Sequence, residues 1–307
     1  MAISTFFLSG DWIEPVHQTE WDGFSKAKQR GLGRVAVMVV GGTRTFSSKS
    51  VHKSLATYIQ SLTNQPEYFF QLTKSDEEDC KTMYIKYPEF SDEVALTYFN
   101  DTTKHISWEN PSCDEPNIKK SSCCGRKSNP WHWISYMRKI SAYNHVRDYE
   151  IQQGFEYDWY IFIRPDLYFF EKSIFTLSSL NKNRIYISSK EKDQPLGDYI
   201  YLVPKQYIKI FISSITHHND RACSEGKEPI WSPEFLLDPY IHRHQQLPHQ
   251  MLPILFAIAR CNGKADCSRL DNEVLYNLDL LKDGKFVSPK DYCEQVFESN
   301  ILQFVPS

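Results

Sequence analysis

Two charged residues follow an aromatic, apolar run and could together bind a phosphorylated ligand. Residues 159–163 read WYIFI, and such a run of aromatic and β-branched residues is typical of a buried strand. Pro165 cannot donate to a sheet and disfavours helical backbone at Arg164, so the strand is predicted to stop there. Arg164 and Asp166 then lie at its carboxyl end, the edge at which open α/β sheets bind ligands. A cation and a carboxylate at that edge suit a ligand made of phosphates and a divalent metal ion.

Asp166 has two interpretations from the sequence. Mg²⁺ or Mn²⁺ needs only one or two protein carboxylates when the phosphates of a substrate supply further ligands, so Asp166 could serve as the metal ligand. The alternative is an ordinary salt bridge that follows a strand. Its position at the strand end favours the first, and we predict Asp166 as the metal ligand and Arg164 as a phosphate-binding residue.

A glycine turn provides a second candidate for phosphate binding. Gly41, Gly42, Thr43 and Arg44 follow an apolar segment, residues 34–40, that is predicted to form a strand. Glycines permit a ligand to approach the backbone closely, and Arg44 could donate two parallel hydrogen bonds to a diphosphate. The spacing matches neither a Walker loop nor a dinucleotide fingerprint, and a plain turn is the alternative. We predict that these four residues contact a diphosphate.

Three further residues are candidates for binding or proton transfer. Asp198 precedes a strand predicted over residues 199–203 and could act as a general base, although an ordinary turn aspartate would look the same. Glu234 lies in the first turn of a predicted helix, where an acid already suits the helix dipole, and a base is its second interpretation. Arg138 lies beside the apolar stripe of a helix predicted over residues 130–152, and we place it among the phosphate-binding residues.

Composition and charge indicate a globular protein and do not suggest a nucleic-acid-binding or membrane-binding one. The chain has 307 residues, 41% hydrophobic and 24% charged, which is ordinary for a globular protein. A net charge of −3 gives no reason to expect nucleic acid or an anionic membrane as a partner. Aromatic residues reach 14%, which favours either clefts that stack on rings and sugars or an aromatic core.

We predict the cellular location from the absence of a transmembrane segment and of a signal peptide in this sequence. No apolar run has the length of a transmembrane helix, and no basic residue precedes the short apolar patch at residues 6–8. The eight cysteines are too few for a disulfide scaffold in a chain of this size, and they contain no Cys-x-x-Cys pair and do not fit zinc spacing. We therefore predict a cytoplasmic protein in a reducing compartment, while the even number of cysteines would also permit disulfides.

The alternation of predicted strands and helices indicates an α/β fold with a mostly parallel central sheet, flanked by helices, and a nucleotide-binding first half. We expect an irregular lead-in over residues 1–33, one catalytic domain over residues 34–270 and a peripheral wrap over residues 271–307. An insertion loop is predicted at residues 100–130 and another loop at residues 217–231. Residues 252–259 are predicted to form a late strand.

The order of these motifs resembles the GT-A-type glycosyltransferase-like proteins of algae, plants and large viruses. The shared order is strand, Gly-x-x-Arg turn and helix, followed by Tyr-Asp-Trp, strand and Arg-Pro-Asp. Three segments are similar to segments of that family: YDWYIFIRPDLYF, GDYIYLVPKQY and WSPEFLLDPYI. The resemblance extends over roughly residues 34–270, and its most specific part is Arg-Pro-Asp on the strand.

The resemblance implies a GT-A-like fold in which a nucleotide-diphosphosugar lies over the carboxyl edge of the sheet. An Asp-x-Asp motif commonly binds the metal ion and the diphosphate there, and this chain has Arg164 in place of the first aspartate. The implied function is transfer of a hexosyl or pentosyl group from that donor to a hydroxyl of a glycan or another acceptor, assisted by Mn²⁺ or Mg²⁺. An inverting reaction would need Asp198 or Glu234 as base, whereas a retaining one would not.

Two other classes of function stay open at this point. The missing first aspartate would also fit a non-catalytic carbohydrate- or nucleotide-binding module on a degenerate transferase fold. A glycoside hydrolase with two carboxylates is the other alternative, although it has no diphosphate for the Gly-x-x-Arg turn to hold. A virus-encoded enzyme, or one peripheral to a membrane, would carry the same sequence signals.

Overall fold

A central sheet of seven strands organises the part of the chain that the structure describes. The computed structural model describes residues 33–43, 46, 49–73, 98–108, 130–170, 172–188, 199–224, 247–252, 254, 256–259, 265–266, 281–282 and 285–286. The central strands are β1 (Val35–Gly42), β2 (Pro66–Thr73), β3 (Thr103–Ser107), β4 (Trp159–Ile163), β6 (Ile185–Ser188), β7 (Ile200–Pro204) and β8 (His249–Leu252).

Smaller strands and three helices complete the described elements. The helices are α1 (Lys49–Leu62), α2 (Pro130–Gln153) and α3 (Lys205–Ser224). A three-stranded sheet joins β5 (Leu167–Phe169), β9 (Phe256–Ala259) and β10 (Ala265–Asp266). The strands β11 (Leu281–Lys282) and β12 (Lys285–Phe286) pair with each other.

The strand order of the central sheet is β3-β2-β1-β4-β7-β6-β8. The strands β3, β2, β1 and β4 are mutually parallel, β7 runs antiparallel to both β4 and β6, and β6 and β8 are parallel. All strands of this sheet therefore point the same way except β7. The strand order and directions confirm the prediction of an α/β fold with a mostly parallel central sheet.

Helices cover both faces of the sheet because its central strands are apolar on both sides. In β1, Val35, Val37 and Val39 pack in the same apolar cluster as α1, whereas Ala36 and Met38 pack in the cluster that contains α2 and α3. The small sheet of β5 and β9 lies on the α1 side. A strand buried on both faces reads as a continuous apolar run, which is why residues 34–40 and 159–163 could be recognised from the sequence.

The chain reverses its direction of winding between β1 and β4. From β1 it moves outward through α1 to β2 and then β3, and it returns through α2 to β4 on the other side of β1. The helices α1 and α2 consequently lie on opposite faces. Such a reversal separates the loops that follow the two adjacent strands and opens a crevice at their carboxyl ends.

Several predicted boundaries differ from the structure. The strand β1 continues through Gly41 and Gly42, which were expected to form the turn itself. The strand β3 lies inside the predicted insertion loop, because a short polar edge strand carries little apolar signal, while residues 109–129 lie outside the described part. The helix α3 continues to Ser224, so the loop predicted over residues 217–231 is wrong as far as residue 224, and residues 225–231 lie outside the described part.

The predicted late strand at residues 252–259 is wrong as a single element. The strand β8 ends at Leu252 in the central sheet, and β9 begins at Phe256 in the small sheet. Pro253, directly after Leu252, was the sequence signal for this division, because proline cannot donate to a sheet ladder.

Candidate functional site

The carboxyl ends of β1 and β4 lie side by side at the crevice. Val39 is the register partner of Ile163, so Gly41 reaches the level of Pro165. Gly41 has a φ of 147°, and a Cβ atom placed there would come within 3.0 Å of the Cδ atom of Pro165. A glycine is thus required at this position both for its backbone conformation and for the close approach of the two strand ends.

Arg164 and Asp166 form a two-pronged ion pair across Pro165. The Nε atom of Arg164 donates to Oδ1 of Asp166 at 2.9 Å, and its Nη2 atom donates to Oδ2 at 2.7 Å. The Asp166 side chain is only 2% exposed, whereas the Arg164 side chain is 23% exposed. The carboxylate is therefore the buried end of the pair and the guanidinium is the end that reaches solvent.

Tyr199, the residue directly before β7, also contacts Arg164. The backbone N–H of Arg164 donates to the carbonyl of Tyr199 at 3.1 Å. The guanidinium carbon of Arg164 lies 5.2 Å from the centroid of the Tyr199 ring, within the range of a cation–π contact. Tyr199 is a site residue that the sequence analysis missed, because only the antiparallel pairing of β4 with β7 brings it beside Arg164.

The chain that follows Asp166 is fixed on α1. The backbone N–H of Phe169 donates to the hydroxyl of Ser54 at 3.1 Å, and the Phe169 ring stacks on Tyr58 with centroids 4.2 Å apart. Ser61 accepts a hydrogen bond from the backbone N–H of Ser173 at 2.7 Å. These contacts hold β5 on one side of Asp166 while β4 holds the other, so the ion pair lies between two fixed strands.

Two further predicted residues can be placed. The backbone N–H of Thr43 donates to the carbonyl of Thr73 at 3.0 Å, which ties the end of β1 to the end of β2. Arg138 is half-buried on α2, about one turn before Ser141. The Ser141 hydroxyl donates to the Gln71 side chain near the carboxyl end of β2 at 3.3 Å, so this part of α2 lies toward the same edge of the sheet.

Three predicted residues cannot be placed at the crevice. Arg44, Asp198 and Glu234 lie outside the described residues. Their roles as phosphate-binding residue and general base therefore stay predictions. The residues that the structure does bring together are Gly41, Pro165, Arg164 and Asp166, with Gly42 and Thr43 completing the end of β1.

The described residues do not fit a divalent metal ion at Asp166. Both carboxylate oxygens accept hydrogen bonds from Arg164, and the carboxylate is buried. Within the described ranges, no group of three or more His, Cys, Asp and Glu side chains could hold a metal ion. A metal ion at Asp166 would therefore have to displace the guanidinium of Arg164, which is a strong competitor because it bonds both carboxylate oxygens.

The opposite edge of the sheet contains a separate buried carboxylate. Glu150, near the end of α2, accepts hydrogen bonds from the Tyr157 backbone N–H at 2.7 Å and the Tyr160 hydroxyl at 2.6 Å. Burial, together with the hydrogen bond to Glu150, raises the pKa of Tyr160 well above its usual range. Arg147 pairs with the same carboxylate. Because its partners lie at the amino end of β4, this network joins α2 to the sheet and is distant from the crevice.

Comparisons with known proteins give a distant likeness in structure and none in sequence. No protein-family model matches the chain, and no curated protein matches it. One similar solved structure is a glycosyltransferase involved in the glycosylation of the major capsid of PBCV-1, with 8% identity, 71% of this chain and 81% of that chain covered, and a TM-score of 0.35.

Two other solved structures have a similar degree of likeness. The apo-form glycosyltransferase GlyE of Streptococcus pneumoniae is 10% identical, with a TM-score of 0.36, and the match covers 71% of this chain and 45% of that one. The bifunctional glycosyltransferase WbbM in its apo form is 11% identical, with a TM-score of 0.36, and the match covers 74% and 40%. At these values the likeness does not establish the family or the activity of this chain.

No helix in the described part of the chain combines the length and the apolar character needed to cross a bilayer.

Proposed function

We propose that the chain is a GT-A-like glycosyltransferase, which transfers a sugar from a nucleotide-diphosphosugar donor to a hydroxyl acceptor. The observation that carries the proposal is the crevice between β1 and β4. There Gly41, at the end of β1, lies beside Pro165, and Pro165 stands between the paired residues Arg164 and Asp166. Ligands of open α/β sheets bind at such a reversal of strand order, beyond the carboxyl ends of the strands. The diphosphate of the donor would lie there.

The residues of the crevice suit a diphosphate in two ways. Gly41 and Gly42 have no side chain that would keep a ligand away from the backbone of β1. Arg164 presents a guanidinium at the solvent-facing end of its ion pair, and guanidinium groups bind phosphate oxygens through paired hydrogen bonds. The predicted contributions of Arg44 and Arg138 would add to this positive charge.

The reaction that fits these residues breaks the bond between the sugar and the diphosphate. The acceptor oxygen forms a bond to the anomeric carbon, and the nucleoside diphosphate leaves with the electron pair of the broken bond. Its negative charge grows as it departs, and Arg164 would stabilise that charge. In an inverting reaction the proton of the acceptor hydroxyl passes to a carboxylate, for which Asp198 and then Glu234 remain our predicted candidates.

The test is a calorimetric and thermal-shift screen of the full chain against UDP, GDP, CMP and the corresponding nucleotide-sugars, with and without Mn²⁺. We expect one nucleoside diphosphate to bind and to stabilise the fold by about 2.7 kcal/mol at one hundred times its dissociation constant. With the matching nucleotide-sugar, release of the nucleoside diphosphate should then be detected. Failure of every nucleotide to bind in either buffer would overturn the proposal.

A matched pair of variants locates the bound nucleotide. Arg164→Lys keeps the charge but loses the fork of donors, and we expect it to weaken nucleotide binding by about tenfold or more. Arg184→Lys is the control, because Arg184 is an exposed arginine at the amino end of β6. An equal loss in both variants would place the nucleotide elsewhere.

The two alternative functions, a non-catalytic binding module and a glycoside hydrolase, predict different results in the same screen. A non-catalytic module would bind the nucleotide-sugar and never release the nucleoside diphosphate, even with acceptors present. A glycoside hydrolase would bind no nucleoside diphosphate and would cleave simple glycosides instead.

A further inference from the structure

Arg164 bonds both oxygens of the carboxylate that the sequence predicts as a metal ligand, and that carboxylate is almost fully buried. A metal-binding aspartate has to present at least one oxygen lone pair toward the ion. In Asp166, Oδ1 accepts from Nε and Oδ2 accepts from Nη2 of the same guanidinium, at 2.9 and 2.7 Å. This is the fork-to-fork arrangement that makes arginine–carboxylate pairs strong and directional.

The exposure of the two partners decides which of them a ligand meets. The Asp166 side chain is 2% exposed and the Arg164 side chain is 23% exposed. A group that approaches from solvent therefore meets the guanidinium before the carboxylate. An anion would meet the positive end of the pair, whereas a divalent cation could reach Asp166 only by displacing the guanidinium.

Three contacts fix the direction of the guanidinium. Besides the two bonds to Asp166, Arg164 lies against the Tyr199 ring, with the guanidinium carbon 5.2 Å from the ring centroid. The backbone N–H of Arg164 also donates to the Tyr199 carbonyl at 3.1 Å. A cation that is oriented before the ligand arrives loses little rotamer entropy when it binds.

We propose that Arg164, rather than a metal ion on Asp166, is the cation that binds the donor's diphosphate, and that Asp166 is a positioning residue for Arg164. The inference rests on the proposed transferase function and specifies its phosphate site. It predicts that nucleotide binding needs no divalent metal ion. It also predicts that Asp166 influences the nucleotide only through the guanidinium that it holds.

The first experiment titrates the nucleoside diphosphate selected by the screen into the wild-type chain, once in EDTA and once in Mn²⁺. The inference predicts dissociation constants within about threefold of each other. Binding that requires Mn²⁺ would overturn the inference and leave the transferase proposal intact. No binding in either buffer would overturn both, so the two failures are distinguishable.

A titration of Mn²⁺ alone adds a test that needs no variant. The inference predicts that the wild-type chain shows no Mn²⁺ site that depends on Asp166. If the wild type binds Mn²⁺ and Asp166→Asn abolishes that binding, Asp166 is a metal ligand and the inference is wrong.

A double-mutant cycle tests the positioning role in EDTA. Asp166→Asn and Arg164→Lys should each weaken nucleotide binding by about tenfold, and the double variant should be no weaker than Arg164→Lys alone. Additive losses would mean that Asp166 acts independently of Arg164, which contradicts the inference. Asp158→Asn is the matched control, because Asp158 is a 40% exposed aspartate that precedes β4 and pairs with Lys182, and it should bind like the wild type.

Discussion

At the scale of single residues, the crevice depends on one glycine and one ion pair. Gly41 lets the ends of β1 and β4 approach, and Pro165 fills the space that a side chain at position 41 would need. Pro165 also separates Arg164 from Asp166, so the two side chains meet over a single intervening residue. A small change at any of these positions would alter the geometry of the crevice.

The substitution Gly41→Ala separates this geometry from general stability. A Cβ at position 41 would combine a φ of 147° with a 3.0 Å approach to Pro165, and we expect a loss of about 1–3 kcal/mol in the free energy of unfolding together with weaker nucleotide binding. Gly154→Ala is the matched control. Gly154 also has a positive φ, of 70°, but no atom lies within 4 Å of an added Cβ, and it ends α2 at the opposite edge.

Urea unfolding and calorimetry on both glycine variants check this prediction. Gly154→Ala should lose stability through backbone strain alone and keep the nucleotide affinity of the wild type. Equal nucleotide affinities in the two variants would show that the end of β1 does not contact the ligand.

At the scale of elements, the contact between β3 and α2 makes the sheet edge sensitive to acid. The rings of His105 on β3 and His145 on α2 stack with their centroids 3.8 Å apart. Burial and, to a smaller extent, the nearby His145 lower the pKa of His105 to about 4, and Asp148 opposes the shift. His105 is therefore neutral in the folded chain at pH values where a histidine in the unfolded chain is already protonated.

The expected consequence is a loss of stability as the pH falls from about 6.5 to about 4, since in this window the unfolded state binds a proton that the folded state does not. His105→Gln removes this contribution, so its midpoint of thermal unfolding should fall less between pH 7 and pH 4.5 than that of the wild type. His145→Gln should also reduce the fall, because it removes one cause of the lowered pKa of His105. Superimposable pH curves for the wild type and His105→Gln would contradict the prediction.

At the scale of the whole molecule, the central sheet lies between the two apolar layers, and we expect both layers to unfold with it in one cooperative transition. The strand β4 lies between β1 and β7, and its residues alternate between the α1 side and the α2–α3 side. A residue at the centre of β4 is thus surrounded by elements from both halves of the chain. Damage there should lower the stability of the whole described fold rather than of one layer.

Ile161→Ala tests this cooperativity. Ile161 is 0% exposed, and its truncation should lower the free energy of unfolding by about 2–5 kcal/mol, with fluorescence and circular dichroism reporting one shared transition. Ile151→Ala is the control, because Ile151 is 70% exposed on α2 and should change stability by no more than about 0.5 kcal/mol. Two separate transitions in Ile161→Ala would mean that the two layers unfold independently.

The sequence alone was sufficient for some of the buried elements of the fold. Residues 35–40 and 159–163 are apolar throughout, as a strand buried on both faces has to be, so β1 and β4 were predicted close to their observed bounds. The helix predicted over residues 130–152 corresponds to α2, which extends from Pro130 to Gln153. The edge strand β3 was missed, since an edge strand buries little and leaves no such pattern.

The site required the tertiary structure. The sequence placed Arg164 and Asp166 at the end of a strand, but it could not show whether the two side chains would bind each other or a metal ion, because both outcomes use the same residues at the same spacing. Nor could it show that Tyr199 lies against Arg164, which follows from the antiparallel pairing of β7 with β4. Burial produces a local pattern of apolar residues that can be read from the sequence. The partner of a charged side chain instead depends on which distant strand packs beside it.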